Sequence, residues 1–112
     1  MIDSYSFGHI VIEGRIYNSD VIIYQDSIDN KWWRKKGHLL QKDDISDIIK
    51  IKPEILIVGT GKPGLMEVSE DTKNFIQSKG IKLIVNNTEN ACKIYNKLKD
   101  KNKVIAALHL TC

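Results

Sequence analysis

The spacing of apolar and polar positions changes near residue 40. Before it, apolar residues form short runs rich in β-branched side chains, at Phe7–Ile12, Arg15–Tyr17 and Val21–Tyr24. Such runs, bounded by Gly, Asn and Asp, are typical of strands. The links between them are too short for crossovers, so we predict an antiparallel β meander. Lys31–Arg34 is predicted to be extended, with one tryptophan facing the core and the other facing out.

After residue 40, apolar runs alternate with segments of helical spacing. Three strands are predicted, at 54–58, 81–85 and 104–110. Three helices are predicted to begin at Asp43, Ser69 and Thr88, which are good N-cap residues. Three strands separated by two helices favour parallel pairing through right-handed crossovers. We therefore predict a mixed α/β protein, with a parallel βαβαβ C-terminal half and an N-terminal antiparallel β meander.

Length, composition and charge narrow the protein class. The chain has 112 residues, 42% of them hydrophobic and 28% charged, which suits one globular domain over 1–112. No apolar run approaches the roughly 20 residues that span a bilayer, so no membrane partner is expected. The net charge of +3 comes from scattered lysines and does not favour nucleic acid. Cys92 and Cys112 form no C-x-x-C pair, and Met1–Tyr5 does not resemble a signal peptide; we expect a reduced, cytoplasmic protein.

A glycine-rich segment follows the strand at 54–58. Gly59, Gly61 and Gly64 match the dinucleotide-binding pattern G-x-G-x-x-G. However, Pro63 interrupts the pattern, no helix cap follows until Ser69, and the next strand ends without the expected acidic residue. The pattern therefore does not favour a dinucleotide site.

Two interpretations of this glycine loop stay open. In the first, the backbone amides of Thr60, Gly61 and their neighbours hold a small anion together with Lys62. In the second, the glycines only supply the positive φ of a tight turn. Loops at the carboxyl ends of parallel strands converge, so the predicted ligand site also includes Arg34 and His38, with the C-terminal residues His109, Thr111 and Cys112.

The chain ends in a second candidate group, His109, Thr111 and Cys112. His and Cys are zinc ligand types, but this spacing supplies only two ligands, so no metal site is predicted. A nucleophilic Cys–His pair would need a third, orienting group that the sequence does not identify. We assign no catalytic residue and no cofactor.

Residues 31–38 combine aromatic and basic side chains. Trp32 and Trp33 precede Arg34, Lys35 and Lys36. Two adjacent tryptophans in an extended segment favour one core residue and one surface or interface residue. Trp33 is therefore the candidate contact to a protein partner. Stacking on nucleic acid bases is the less favoured alternative.

The third predicted helix carries an apolar stripe. Ala91, Cys92, Tyr95 and Leu98 recur at helical spacing. Such a stripe is typical of a helix packed on the core. Cys92 is expected to be an inert buried thiol, and Tyr95 a core residue rather than part of a site.

The ordered motifs resemble a known family. Matching positions run over nearly the whole chain: Phe7-Gly8, Asp20 before Val21-Ile22-Ile23, Trp33-Arg34, Ile57–Gly61, Thr88, Ala91, Tyr95-Asn96 and His109-x-Thr111-Cys112. They are similar to the adipogenesis-associated Mth-domain family, which is related to a mitochondrial complex I assembly factor. The segment before His38 looks shorter than in members with an additional His there.

The resemblance implies a three-layer α/β single domain with no established enzymatic activity. Some relatives act as assembly or regulatory partners of other proteins. We therefore favour a non-enzymatic binding or assembly-type protein that uses Trp33. The alternative is a small-anion-binding protein or enzyme with its site at Thr60, Gly61 and Lys62.

Overall fold

The computed structural model describes residues 1–112. Ten strands are present: β1 Ile2–Ser6, β2 His9–Ile12, β3 Arg15–Tyr17, β4 Val21–Ile23, β5 Ile28–Asp29, β6 Leu39–Leu40, β7 Ile55–Thr60, β8 Glu67–Val68, β9 Lys82–Asn86 and β10 Val104–His109. The three α-helices are α1 Ser46–Ile51, α2 Glu70–Ser78 and α3 Thr88–Leu98, and a short 3₁₀ helix, Lys42–Ile45, precedes α1.

The central sheet has five strands in the order β5-β4-β10-β7-β9. β7 lies between β10 and β9 and is parallel to both, whereas β4 is antiparallel to β10 and β5. All six residues of β7 and of β10 are buried, so these two strands form the middle of the fold. The parallel C-terminal half is therefore confirmed.

The sheet has a hydrophobic core on each face, which makes the fold three-layered. On one face, α3 and the antiparallel sheet β1-β2-β3 cover Ile57, Ala106 and Leu108. On the other face, α1 and α2 cover Leu56, Val58 and their neighbours together with Trp32. The mixed α/β class and an N-terminal antiparallel meander are confirmed. The predicted meander strand at Val21–Tyr24 is a correction, because β4 pairs with β10 in the central sheet.

Three local predictions need correction. The meander begins with β1, and Phe7 lies in the turn before β2 rather than in a strand. Asn87, not Thr88, is the N-cap of α3, because its side chain accepts from the amide of Asn90. Asp43 does not cap the first helix, because the 3₁₀ helix intervenes.

The segment 31–34, predicted to be extended, belongs to no helix or strand. The predicted alternation is nevertheless present, because Trp32 is buried and Trp33 is exposed. Trp32 packs in the same core as Leu40 and Met66, and its Nε1–H donates to the carbonyl of Asp44. Side-chain anchoring rather than a ladder of backbone hydrogen bonds therefore holds this segment.

Candidate functional site

A buried charged cluster lies where β4 begins and β10 ends. Its members are Asp20, Arg34 and His109. Arg34 is 8% exposed and His109 is 5% exposed. The Arg34 Nη1 and the His109 Nδ1 each lie 2.8 Å from Oδ2 of Asp20. The carboxylate therefore contacts two nitrogen-bearing side chains from distant parts of the chain.

Strand pairing explains how Asp20 and His109 meet. Leu108 of β10 pairs with Val21 of β4, so the residues that flank this pair are neighbours across the sheet. Asp20 also accepts a hydrogen bond at Oδ1 from the amide of Leu110, at 2.8 Å. The carboxylate thus links the start of β4 to the residue that follows β10.

Arg34 reaches the cluster from the extended segment. Its Nε–H and Nη2–H both donate to the carbonyl of Gly37, and its guanidinium carbon lies 4.6 Å from the centre of the Trp32 ring. The hydrogen bonds close a short loop over residues 34–37, and the ring contact adds a cation–π interaction. The Arg34 guanidinium is therefore held by the Gly37 carbonyl, the Trp32 ring and the Asp20 carboxylate.

The His109 ring has one engaged nitrogen and one free nitrogen. Nδ1 lies 2.8 Å from the Asp20 carboxylate and 3.0 Å from Nη2 of Arg34. A carboxylate only accepts and a guanidinium only donates, so Nδ1 donates to Asp20 in one tautomer and accepts from Arg34 in the other. Nε2 is buried and has no hydrogen-bond partner in the protein. The ring of exposed His38 stands edge-on to it, with the ring centres 6.0 Å apart.

The cluster shifts the pKa of Asp20. Burial alone would raise the pKa of this carboxyl group, since it disfavours the charged form. The hydrogen bonds from His109 and from the Leu110 amide, the His109 charge and the Arg34 guanidinium outweigh burial, and the pKa lies below the usual 3.8. Asp20 is therefore ionised at neutral pH and compensates the charge of Arg34.

The glycine loop meets the C-terminus at the same edge of the sheet. Gly59 and Thr60 belong to β7, so the loop begins at Gly61 rather than at Gly59. Gly61 has φ +102°, and an added Cβ would lie 2.5 Å from the carbonyl oxygen of Thr111. Positive φ at Gly61, and at Gly64 with +79°, agrees with the turn interpretation.

Two of the loop amides that a small anion would need already have partners. The Gly61 amide donates to Oγ1 of Thr88 at 2.9 Å, and the Lys62 amide donates to the carbonyl of Thr111 at 2.8 Å. Pro63 has no amide hydrogen. The geometry therefore gives little support to an anion cradle formed by this loop.

Most of the predicted ligand residues do come together. Thr60 pairs with His109 across the parallel strands, and the Met66 amide donates to the carbonyl of Thr60. His38 contacts the same region through the His109 ring. However, none of the protein's five surface cavities is lined by a predicted ligand residue: Arg34, His38, Thr60, Gly61, Lys62, His109, Thr111 and Cys112.

The two basic residues of the predicted anion site have different contacts. Arg34 is paired with Asp20, and Nζ of Lys62 lies 5.9 Å above the ring of Tyr5. Cys112 is half-buried, and no group of three or more His, Cys, Asp or Glu side chains is placed to hold a metal ion. The anion-site interpretation of these residues stays a prediction.

Trp33 lies apart from the buried cluster, on the surface. Its side chain is 74% exposed, the highest value among the large hydrophobic residues. It lines a cavity of about 330 Å³ together with Tyr24, Asp29, Lys35 and Asp47. The sequence correctly identifies Trp33 as the outward tryptophan, but it does not identify the acidic residues beside it.

Asp20 is the site residue that no local chemical motif identifies, although its position is among those that carry the family resemblance. It marks only the start of a strand within Asn18-Ser19-Asp20, a composition that is typical of an ordinary turn. Its position directly before a buried strand is the available signal, because the ends of neighbouring strands share one edge of a sheet.

Comparison with known proteins identifies the family. The model of a family described as "protein of unknown function (DUF498/DUF598)" matches residues 2–109. The chain belongs to this family. A "13 kDa major membrane protein" of Francisella tularensis subsp. holarctica is 32% identical over 91 residues, which cover 80% of this chain and 68% of that protein.

Two solved structures share the fold. A conserved hypothetical protein from Pyrococcus horikoshii OT3 superposes with a TM-score of 0.85 at 24% identity, over 100% of this chain and 99% of that one. A Bordetella pertussis protein described as a Mth938-like domain superposes with a TM-score of 0.60 at 14% identity, over 98% and 85%. The Mth-type likeness is confirmed; its link to adipogenesis and complex I stays a prediction.

None of the three helices has the length and apolar character needed to cross a membrane.

Proposed function

We propose that this protein is a non-enzymatic binding protein that contacts a protein partner through the surface around Trp33. The observation that carries the proposal is the 74% exposure of the Trp33 side chain between two buried neighbours. Tryptophan is enriched among the residues that dominate binding energy in protein interfaces.

The neighbours of Trp33 anchor the backbone on both sides of it. Trp32 is buried and hydrogen-bonded to the Asp44 carbonyl, and Arg34 is buried against Asp20 and His109. A residue between two such anchors has little backbone freedom to lose when a partner binds. Preorganisation of this kind lowers the entropic cost of association.

The buried cluster supports a structural role better than a catalytic one. The pair Asp20 and His109 resembles the orienting half of a hydrolase triad, with Nε2 of His109 free. However, His109 is 5% exposed and lines none of the surface cavities, which does not favour a substrate at Nε2. Arg34 and His109 instead fasten the Trp33 segment to the central sheet.

The assembly-type role and the cytoplasmic location are parts of the same proposal. The resemblance to a complex I assembly factor supports the first, and the reduced state expected of Cys92 and Cys112 supports the second. The Francisella relative is named a membrane protein. Cell fractionation tests the location: recovery in the supernatant at low salt is expected, and recovery only in detergent-extracted membranes would contradict it.

Affinity capture from an extract of the native host tests the binding role. Immobilised wild type is compared with Trp33→Ala and with Ile16→Ala, a control in which another large apolar side chain, 66% exposed, is removed from the meander. Wild type and Ile16→Ala should retain the same protein, and Trp33→Ala should lose it. Equal retention by Trp33→Ala, or no specific retention by wild type, would overturn the proposal.

A further inference from the structure

Two surface cavities form one groove beside Trp33. The first, of about 330 Å³, and the second, of about 570 Å³, share a wall made of Tyr24, Asp29 and Asp47. Trp33 lines only the first cavity and Lys103 only the second. We call the two cavities together the Trp33 groove.

The groove carries a charge opposite to that of the protein. The whole chain has a net charge of +3, yet the groove is lined by more carboxylates than cations. The carboxylates are those of Asp26, Asp29, Asp43, Asp44 and Asp47, and the cations are Lys35 and Lys103. The local field therefore attracts cations and repels anions such as nucleic acid.

Only two of these carboxylates accept hydrogen bonds within the protein. Asp44 accepts from the amides of Lys35 and Gln41, and Asp29 accepts from the amide of Lys31. Both leave acceptor capacity unused, because a carboxylate has about four lone-pair sites.

The other three carboxylates, those of Asp26, Asp43 and Asp47, make no side-chain hydrogen bond or ion pair. Asp43 and Asp47 lie in the first turns of the 3₁₀ helix and α1, where a negative charge is favourable, but their carboxylate oxygens have no partner in the protein. All three are exposed, so they are free to pair with an incoming cation.

Aromatic rings lie next to the carboxylates. Tyr24 belongs to both cavities; burial raises the pKa of its phenol, and the nearby charges of Asp47 and Asp29 raise it further. Trp33 adds an exposed indole in the first cavity. An aromatic face combined with carboxylates is the environment that binds a guanidinium or ammonium group best, through cation–π contact and charge-assisted hydrogen bonds.

We infer that the Trp33 groove binds a basic segment of a partner protein, with an arginine or lysine side chain placed between Tyr24, Asp29 and Asp47 and packed against Trp33. The inference rests on the proposed binding function and specifies the chemistry of the partner.

A pair of synthetic peptides tests the inference. Acetyl-Gly-Arg-Gly-Arg-Gly-amide is titrated into the wild-type protein, and the same peptide with citrulline in place of arginine serves as the neutral control. Binding is followed by indole fluorescence and by backbone amide NMR shifts. The arginine peptide should bind and shift Trp33, Asp29 and Asp47, and the citrulline peptide should bind about tenfold more weakly or less.

Matched variants locate the site. Asp29→Asn/Asp47→Asn removes two groove charges, and the amide oxygen introduced at position 29 can still accept from the Lys31 amide. Glu70→Gln/Asp100→Asn removes two charges from side chains that are more than 80% exposed and line neither cavity. The groove variant should lose about tenfold in affinity, and the control should bind as wild type does.

Three results would overturn the inference: equal binding of the citrulline peptide, unchanged binding by the groove variant, or no binding of the arginine peptide at about 1 mM. The affinity-capture experiment with Trp33→Ala distinguishes failure of this inference from failure of the proposed binding function. If Trp33→Ala still loses that protein while the arginine peptide does not bind, the binding role stands and the basic segment is wrong.

Discussion

Arg34 and His109 are 75 residues apart in the chain, yet Nη2 of Arg34 lies 3.0 Å from Nδ1 of His109. The same carboxylate oxygen of Asp20 lies 2.8 Å from each side chain. The contact joins the segment that carries Trp33 to the end of β10. The buried cluster is thus a connection between a surface residue and the centre of the sheet.

Removal of Arg34 should destabilise the protein strongly. Arg34→Met keeps much of the side-chain length but leaves the largely buried Asp20 carboxylate without its cation. Breaking a buried ion pair in this way typically costs about 3 kcal/mol or more. Urea unfolding measures the loss, and Arg15→Met, at an exposed position of β3, is the control. A loss for Arg34→Met no greater than that for Arg15→Met would contradict the connecting role.

The stability of the protein should depend on the ionisation of Asp20. Its pKa in the folded protein lies below the usual 3.8. At pH values between the folded-state and unfolded-state pKa, the unfolded chain therefore binds more protons than the folded protein. The stabilisation is therefore complete above about pH 4 and is lost as the pH falls through the folded-state pKa.

Asp20→Asn tests this dependence. The variant should be less stable than wild type at neutral pH, and its stability should fall less steeply below about pH 4. Urea unfolding at several pH values measures both. Parallel curves for the two proteins in this acidic range would show that Asp20 does not carry the effect.

The two thiols should differ in reactivity. Burial, with a smaller effect of the Glu89 charge, raises the pKa of Cys92 to about 12, so almost no reactive thiolate is present at about pH 8. Cys112 is half-buried at the end of the chain. Iodoacetamide should alkylate Cys112 first and Cys92 only after denaturation, as measured by mass spectrometry; Cys112→Ser is the control. Rapid labelling of Cys92 in the folded protein would disprove its burial.

Tyr95 should contribute to stability through packing. It is buried in the core formed by α3, the meander and one face of the sheet, and burial raises its pKa. Tyr95→Ala should cost about 3 kcal/mol, because it leaves a cavity. Tyr95→Phe should cost much less, since the hydroxyl makes no hydrogen bond within the protein. If Tyr95→Ala abolished partner capture with no loss of stability, Tyr95 would belong to a binding site.

The sequence predicts the fold better than it predicts the site. The apolar runs of β7, β9 and β10 carry strong strand signals, and β7 and β10 are buried throughout. The cap at Ser69 is confirmed, because its side chain accepts from the Thr72 amide. β1 is not predicted from the sequence, because its residues Ile2–Ser6 are largely polar and exposed.

The sites depend on contacts between distant segments. Asp20 meets Arg34 and His109 only because β4 pairs with β10 and the segment 31–34 folds back over their ends. The Trp33 groove brings together carboxylates from two segments, residues 26–29 and residues 43–47. Each carboxylate, taken alone, is typical of a turn residue or a helix-start charge, so no local pattern could identify the groove.

Photo-crosslinking at position 33 tests the binding surface most directly. Benzoylphenylalanine replaces Trp33 in one variant and Ile16 in a second, and both are irradiated in cells of the native host. We expect a discrete crosslinked protein from position 33 that is absent from position 16. Identical products from both positions, or no product from position 33, would contradict the claim that Trp33 contacts a partner.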